Sequence, residues 1–138
     1  MSMIPLHLVI DGQPVTKKNS MQIVTINGRP RIIPSKTYRQ YEKVFLPQVP
    51  AKAKQNIAMP ITLKCSYYMP TRRRCDLCNL LEATQDLLVK AGVIEDDNAN
   101  VIYSVDGSRV YYDKENPRVE ITVQPYNDGN YVIWKKEK

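Results

Sequence analysis

The stretch from residue 77 to 91 constrains the fold most, because it carries a single periodicity. Leu77, Leu80, Leu81, Thr84, Leu87, Leu88 and Ala91 recur at spacings of three and four, while Asn79, Glu82, Gln85 and Asp86 fall off that stripe. This spacing predicts an amphipathic helix with one face in a core. Asp76 stands where a side-chain oxygen can cap the first free amides, and Lys90 followed by Gly92 is a natural stop. A second helix is predicted in SKTYRQYEKVF, capped by Ser35, with Tyr38, Tyr41, Val44 and Phe45 on one face. It should falter at Pro47 and Pro50, since proline lacks the amide hydrogen and clashes with the preceding turn.

The remaining patterning is that of strands. Residues 4–10 (IPLHLVI) form one, and Gln22 to Ile26 followed by Arg31 to Ile33 form a hairpin closed by Asn27-Gly28, which supplies the positive φ of a tight turn. Residues 61–69 (ITLKCSYYM), rich in β-branched and aromatic side chains, form a central strand ended by Pro70. Further strands run from Val101 and from Arg118 to Gln124; Asp106-Gly107 offers a hairpin turn inside the first of these, which pattern alone leaves open. Strands and helices are mixed rather than strictly alternating, so the expected class is α+β: one small domain with two helices on a mixed, mostly antiparallel sheet. A chain of 138 residues, 43% of them hydrophobic, can bury one modest core. We place that domain at residues 1–125 and a polar tail at 126–138, which ends in KKEK and holds an apolar patch at Tyr131 to Trp134.

Twenty Lys plus Arg against fourteen Asp plus Glu give a formal charge of +6, which favours a polyanionic partner, beside the plainer reading of a merely soluble basic protein. No apolar run approaches the roughly 20 residues that span a bilayer, and MSMIPLHLVIDG lacks the basic start of a signal peptide. Three cysteines, Cys65, Cys75 and Cys78, are an odd number, which fits a reducing compartment; a cytoplasmic protein is the expectation.

Two acidic points could carry chemistry: Asp76, just after Arg72-Arg73-Arg74, and the triplet Glu95-Asp96-Asp97. Phosphodiester cleavage needs a hard cation to activate water, and carboxylates are the ligands such cations take. Neighbouring basic side chains would hold flanking phosphates, and the loop GQPVTKKNS, with Lys17, Lys18 and Asn19, could add to that grip. The same residues also read as a helix cap, a solvated edge and turns. A helix from 77 to 91 is about 22 Å long, so Asp97 starts back from the far end relative to Asp76. Six residues extend about 20 Å, which makes a joint site within one chain tight and a site completed across a dimer easier. Cys75-Asp-Leu-Cys78 has the gap of a zinc knuckle and, with Cys65 and His7, gives a rival reading: a zinc-stabilised nucleic-acid-binding module without catalysis.

MPTRRRCDLCNLLEATQDLLVKAGVIEDDN resembles the core of RusA-type Holliday junction resolvases: a proline and basic run, Asp-Leu-Asp-Asn-Leu opening a helix, then Lys-Ala-Gly and paired aspartates. The likeness is strong over about thirty contiguous residues and extends loosely to PVTKKNS and PSKTYRQYEKV. It implies a structure-selective endodeoxyribonuclease that resolves four-way junctions or other branched DNA in recombination and repair, as a homodimer with Mg²⁺ or Mn²⁺, in a host or a phage setting. It also implies roles. Asp76 matches the first catalytic aspartate and Asp97 the later one, with Asp96 beside it and Asn79 on the motif's asparagine. Arg72, Arg73, Arg74, Lys17, Lys18, Asn19 and Lys36 would contact DNA.

The chain departs from that pattern twice: Cys78 replaces its second aspartate and Glu82 its lysine. A thiol is a poor partner for Mg²⁺, but residues 78 and 82 are one helical turn apart and share a face. Glu82 is therefore expected to supply the missing carboxylate as a metal ligand, and Lys17 or Lys18 the lost positive charge. A family member that binds branched DNA without cutting is the alternative.

Overall fold

The computed structural model describes residues 5–17 and 21–126. Its strands are β1 (Leu6–Asp11), β2 (Met21–Ile26), β3 (Arg29–Pro34), β4 (Ile61–Met69), β5 (Ile102–Ser104), β6 (Arg109–Tyr112) and β7 (Arg118–Pro125). Its helices are α1 (Lys36–Phe45) and α2 (Leu77–Lys90), with two short 3-10 turns at Leu46–Gln48 and Ala51–Ala53. The fold is α+β. The main sheet has the order β1-β7-β4, with β5 and then β6 along the remaining edge of β4, and β2-β3 form a separate hairpin. The long pairings, β1 with β7 and β7 with β4, are antiparallel; the short ones of β4 with β5 and β6 are parallel. A parallel neighbour needs a crossover, and α2 provides it between β4 and β5.

Side-chain alternation decides which face the helices cover. In β1, Leu6, Leu8 and Ile10 are buried while His7, Val9 and Asp11 are exposed. The same parity buries Ile61, Leu63, Cys65 and Tyr67 of β4 and Val119, Ile121 and Val123 of β7. These pack in one core with Tyr38, Tyr41 and Phe45 of α1 and Leu80, Leu81, Ala83, Thr84, Leu87 and Leu88 of α2. Each large apolar side chain fully buried there contributes about 1.5–3 kcal/mol. Thr84 is the polar member of that core among the described residues, and it is satisfied twice. Its hydroxyl donates to the Leu80 carbonyl (3.0 Å) and pairs with the Tyr67 hydroxyl (2.7 Å), which pins α2 to the C-terminal part of β4.

The helix ends follow their sequences. Ser35 Oγ accepts from the Tyr38 amide at 3.2 Å, and Pro47 opens the 3-10 turn that replaces a further turn of α1. Gly92 takes φ of 82°, and the Val93 amide reaches back to the Leu88 carbonyl at 3.0 Å, closing α2. The hairpin turn has φ of 53° at Asn27 and 74° at Gly28, as a two-residue turn with both φ positive requires.

One expectation needs correction, and one reading that pattern left open is decided. Val44 is 48% exposed. At 100° per residue it lies roughly 90° from the centre of the arc set by Tyr38, Tyr41 and Phe45, beyond the reach of the sheet. The Asp106-Gly107 turn does not reverse the chain: β5 and β6 run the same way along β4, pairing at Ile61–Thr62 and at Ser66–Met69. Between them Ser108 stands in for the ladder, its hydroxyl accepting from the Cys65 amide (3.0 Å) and donating to the Leu63 carbonyl (3.4 Å). A hairpin there would have left β4 from Ser66 to Tyr68 paired with β7 alone, its second edge without the ladder that β6 supplies. Of the proposed tail at 126–138, Tyr126 is tied to the fold by its amide on the Pro60 carbonyl (3.0 Å), and residues 127–138 lie outside the described residues.

Candidate active site

The two acidic points sit at opposite ends of α2. At its start, Asp76 caps the helix with an extended backbone (φ −113°, ψ 114°). Its Oδ1 accepts from the amides of Cys78 (2.9 Å) and Asn79 (3.4 Å). Both bonds fall on one oxygen, so the cap does not occupy Oδ2. The preceding Arg72, Arg73 and Arg74 are exposed, and the Arg72 guanidinium lies 4.6 Å from the centre of the Tyr112 ring. Glu82 is exposed one turn beyond the exposed Cys78, and Asn79 is half-buried.

At the other end, the strand-like segment after α2 is clipped in place by three backbone bonds. The Asn56 and Ile57 amides donate to the Gly92 and Val93 carbonyls, and the Glu95 amide donates to Ile57. This delivers Asp96 and Asp97 to the flank of α2. Asp96 fixes the local turn, Oδ1 accepting from the Asp97 amide (2.8 Å) and Oδ2 from Asn98 Nδ2 (3.1 Å). A concavity of about 390 Å³ results, lined by Lys17, Tyr38, Asp86, Val89, Lys90, Asp96 and Asp97.

Charge in this concavity is crowded. Lys17 Nζ meets Asp86 Oδ2 at 2.9 Å, and Lys90 is drawn to Glu42 at 2.9 Å. The Asp97 carboxyl holds its proton above the usual aspartate range, first through partial desolvation, then through its contact with Asp96 and the charge of Asp86. The Tyr38 hydroxyl is pushed well above its ordinary range by burial and by Asp86 and Glu42, so it stays protonated. A carboxylate destabilised by its like-charged neighbours favours a cation, and an all-oxygen donor set suits a hard one. Among the described residues, however, no three His, Cys, Asp or Glu side chains are gathered closely enough to hold a metal ion. Ten residues of helix separate positions 76 and 86, about 15 Å along the axis, so a single chain does not bring Asp76 into the concavity of Asp97.

The zinc knuckle is contradicted by the sheet. Cys65 faces the core on β4, where burial pushes its thiol up to about 12, whereas His7 lies on the opposite, exposed face of β1 and bonds Thr122 Oγ1 at 3.3 Å. Lys36 is exposed at the first position of α1, and Lys18 and Asn19 lie outside the described residues. Asp86 and Tyr38 were missed as site residues. The helical period places Asp86 off the apolar stripe, but it takes the return of the chain after Gly92 to bring Asp97 beside it.

A family model described as Endodeoxyribonuclease RusA matches residues 11–124. The chain belongs to the RusA family. Among its RusA relatives, the crossover junction endodeoxyribonuclease of Enterobacteria phage 82 is 47% identical over 49 residues, and those of Escherichia coli strain K12 and Shigella sonnei strain Ss046 match equally. That stretch covers 36% of this RusA chain and 41% of each relative, so the chain matches less than half the length of these curated relatives. Among the described residues, no helix of this RusA member is long and apolar enough to cross a membrane.

Proposed function

We propose that the chain is a divalent-metal-dependent endonuclease that cuts branched DNA, with the four-way junction as its substrate, acting in the cytoplasm as a homodimer. The observation that carries this reading is the crowding of Asp86, Asp96 and Asp97 beside Lys17 and Lys90 in a RusA-family chain, with the Asp97 carboxyl poorly neutralised. Asp76, Asp97 and Asp96, with Glu82, are the carboxylates that would hold the ion. When bound, Mg²⁺ or Mn²⁺ would supply an activated water and charge neutralisation at the scissile phosphate. Arg72, Arg73, Arg74 and Lys36, with Lys17, Lys18 and Asn19, would hold the sugar-phosphate backbone, an interaction that weakens steeply with salt. Because the acidic ends of α2 lie apart within one chain, pairing the Asp76 end of one copy with the Asp97 end of a second would complete each site. Names among the relatives support a place in crossover-junction processing, in a host or a phage.

A labelled four-way junction with and without Mg²⁺ tests the reaction: paired symmetric nicks that need the metal are expected, and intact DNA refutes the proposal. Mixing Asp76→Asn with Asp97→Asn tests the sharing of sites. In a mixed dimer, shared sites leave one site fully wild type, so nicking returns, whereas sites within single chains leave both damaged. The exposed Cys78 favours a second reading, a protein that binds junctions without cutting them. Glu82→Gln separates the two, since loss of cleavage with retained binding assigns Glu82 to the metal.

A further inference from the structure

Away from the carboxylates, the strongest unassigned chemistry lies on the sheet edge beside the arginine run. The helices cover one face of the sheet, and on the other a single row crosses three strands: Arg118 of β7 opposite Tyr68 of β4, and Tyr68 opposite Tyr111 of β6. The row is a stack. The Arg118 guanidinium sits 3.8 Å from the centre of the Tyr68 ring, and Tyr68 and Tyr111 lie 5.0 Å apart with planes 20° from parallel. Arg118 is held flat by Asp113 (3.0 Å) and Glu120 (2.8 Å), so the stack rests on a fixed base. It ends at Tyr111, 41% exposed, on a strand exposed along its whole length. The next residue, Tyr112, projects to the other side and is 45% exposed, with Arg72 over its ring.

Cross-strand aromatic pairing explains Tyr68 against Tyr111 but not why the outermost rings are left to solvent on an edge strand, where charge or proline is the usual protection. The chemistry that fits is a flat π-system carrying an anion: a nucleobase for the ring, its phosphate for the adjacent arginines. Bases inside a duplex are already stacked on their neighbours, so only unpaired or splayed bases can use such a surface. We propose that Tyr111 and Tyr112, one on each side of the edge strand, each offer a ring on which an unpaired base of DNA stacks, beside the Arg72–Arg74 loop, so that branch points are preferred to plain duplex. This deepens the nuclease reading above and rests on it for the identity of the DNA.

The test compares wild type with Tyr111→Leu, Tyr112→Leu and the two Phe variants. The probes are a single-stranded oligonucleotide and a four-way junction carrying 2-aminopurine at the branch point, with a blunt duplex of equal length as control. Wild type should change the 2-aminopurine fluorescence on binding. Each Leu variant should bind the single strand roughly 5- to 100-fold more weakly, the energy of one stacked base. The Phe variants should bind as wild type, and duplex affinity should not change. Equal losses for single strand and duplex, unchanged single-strand binding by both Leu variants, or a Leu variant that alters the oligomeric state in light scattering would overturn the platform. Junction cleavage with no fluorescence response removes the platform and leaves the nuclease intact; a fluorescence response without metal-dependent cleavage does the reverse.

Discussion

Asp76 carries two roles that one substitution can separate. As a cap it supplies one oxygen to two amides, at 2.9 and 3.4 Å, and replacing such a cap with alanine costs about 1 kcal/mol. In a chain of 138 residues that lowers the melting temperature by about 3–5 °C. Asparagine caps nearly as well as aspartate and forfeits only the charge at the helix dipole, about 0.5 kcal/mol. Asp76→Asn should therefore melt within about 2 °C of wild type, while Asp76→Ala melts lower. If the other oxygen is a metal ligand, both variants lose it, and junction cleavage falls by about 100-fold or more, equivalent to a few kcal/mol in the barrier. Calorimetry and a single-turnover cleavage assay on the same preparations read the two roles independently. Asp76→Asn cutting at near wild-type rate would reduce Asp76 to a cap and remove it from the active site.

Other consequences are direct. Tyr67→Phe should cost about 1 kcal/mol in urea unfolding and Thr84→Val about 1–3 kcal/mol, yet the double variant should fall short of their sum by about 1 kcal/mol; simple additivity would mean the 2.7 Å contact contributes nothing. Asp97 holds its proton more tightly folded than unfolded, so its contribution to stability is full below the ordinary aspartate pKa of about 4 and is lost as pH rises through the raised folded value. Asp97→Asn should thus melt higher than wild type at pH 7 and equal to it near pH 3; an equal or lower melting temperature at pH 7 contradicts the desolvation and crowding of this carboxyl. Replacing any one of Arg72, Arg73 and Arg74 with alanine should reduce the slope of log affinity against log salt by about one, and an unchanged slope removes that residue from the DNA contact.

Much of the architecture is local and therefore legible. The caps at Ser35 and Asp76, the Asn27-Gly28 turn and the stripe of α2 depend on residues within one turn of each other, and sequence states them directly. What depends on distant partners was less accessible. Val44 was misplaced because helical spacing defines a face but not the width of the sheet beneath it. The path of β5 and β6 could not be read because a turn at Asp106-Gly107 serves a reversal and a bulge equally well, and the choice is made by the free edge of β4. In the candidate site, Asp96 and Asp97 were named from their chemistry and their resemblance, and they do share a concavity with Lys17. Asp86 joined them only through tertiary return of the chain, and the exposed tyrosines of β6 carried no motif at all.

The bond between Tyr67 and Thr84 fixes α2 at its midpoint, and that makes the helix a ruler. Removing one residue would shorten it by about 1.5 Å and rotate everything beyond the cut by about 100°, swinging either the leucines out of the core or Asp86 away from Asp97. The separation of the acidic ends is therefore tied to the packing of the core and cannot drift in small steps. Any second copy that completes the chemistry must match a gauge already set by the interior of the first.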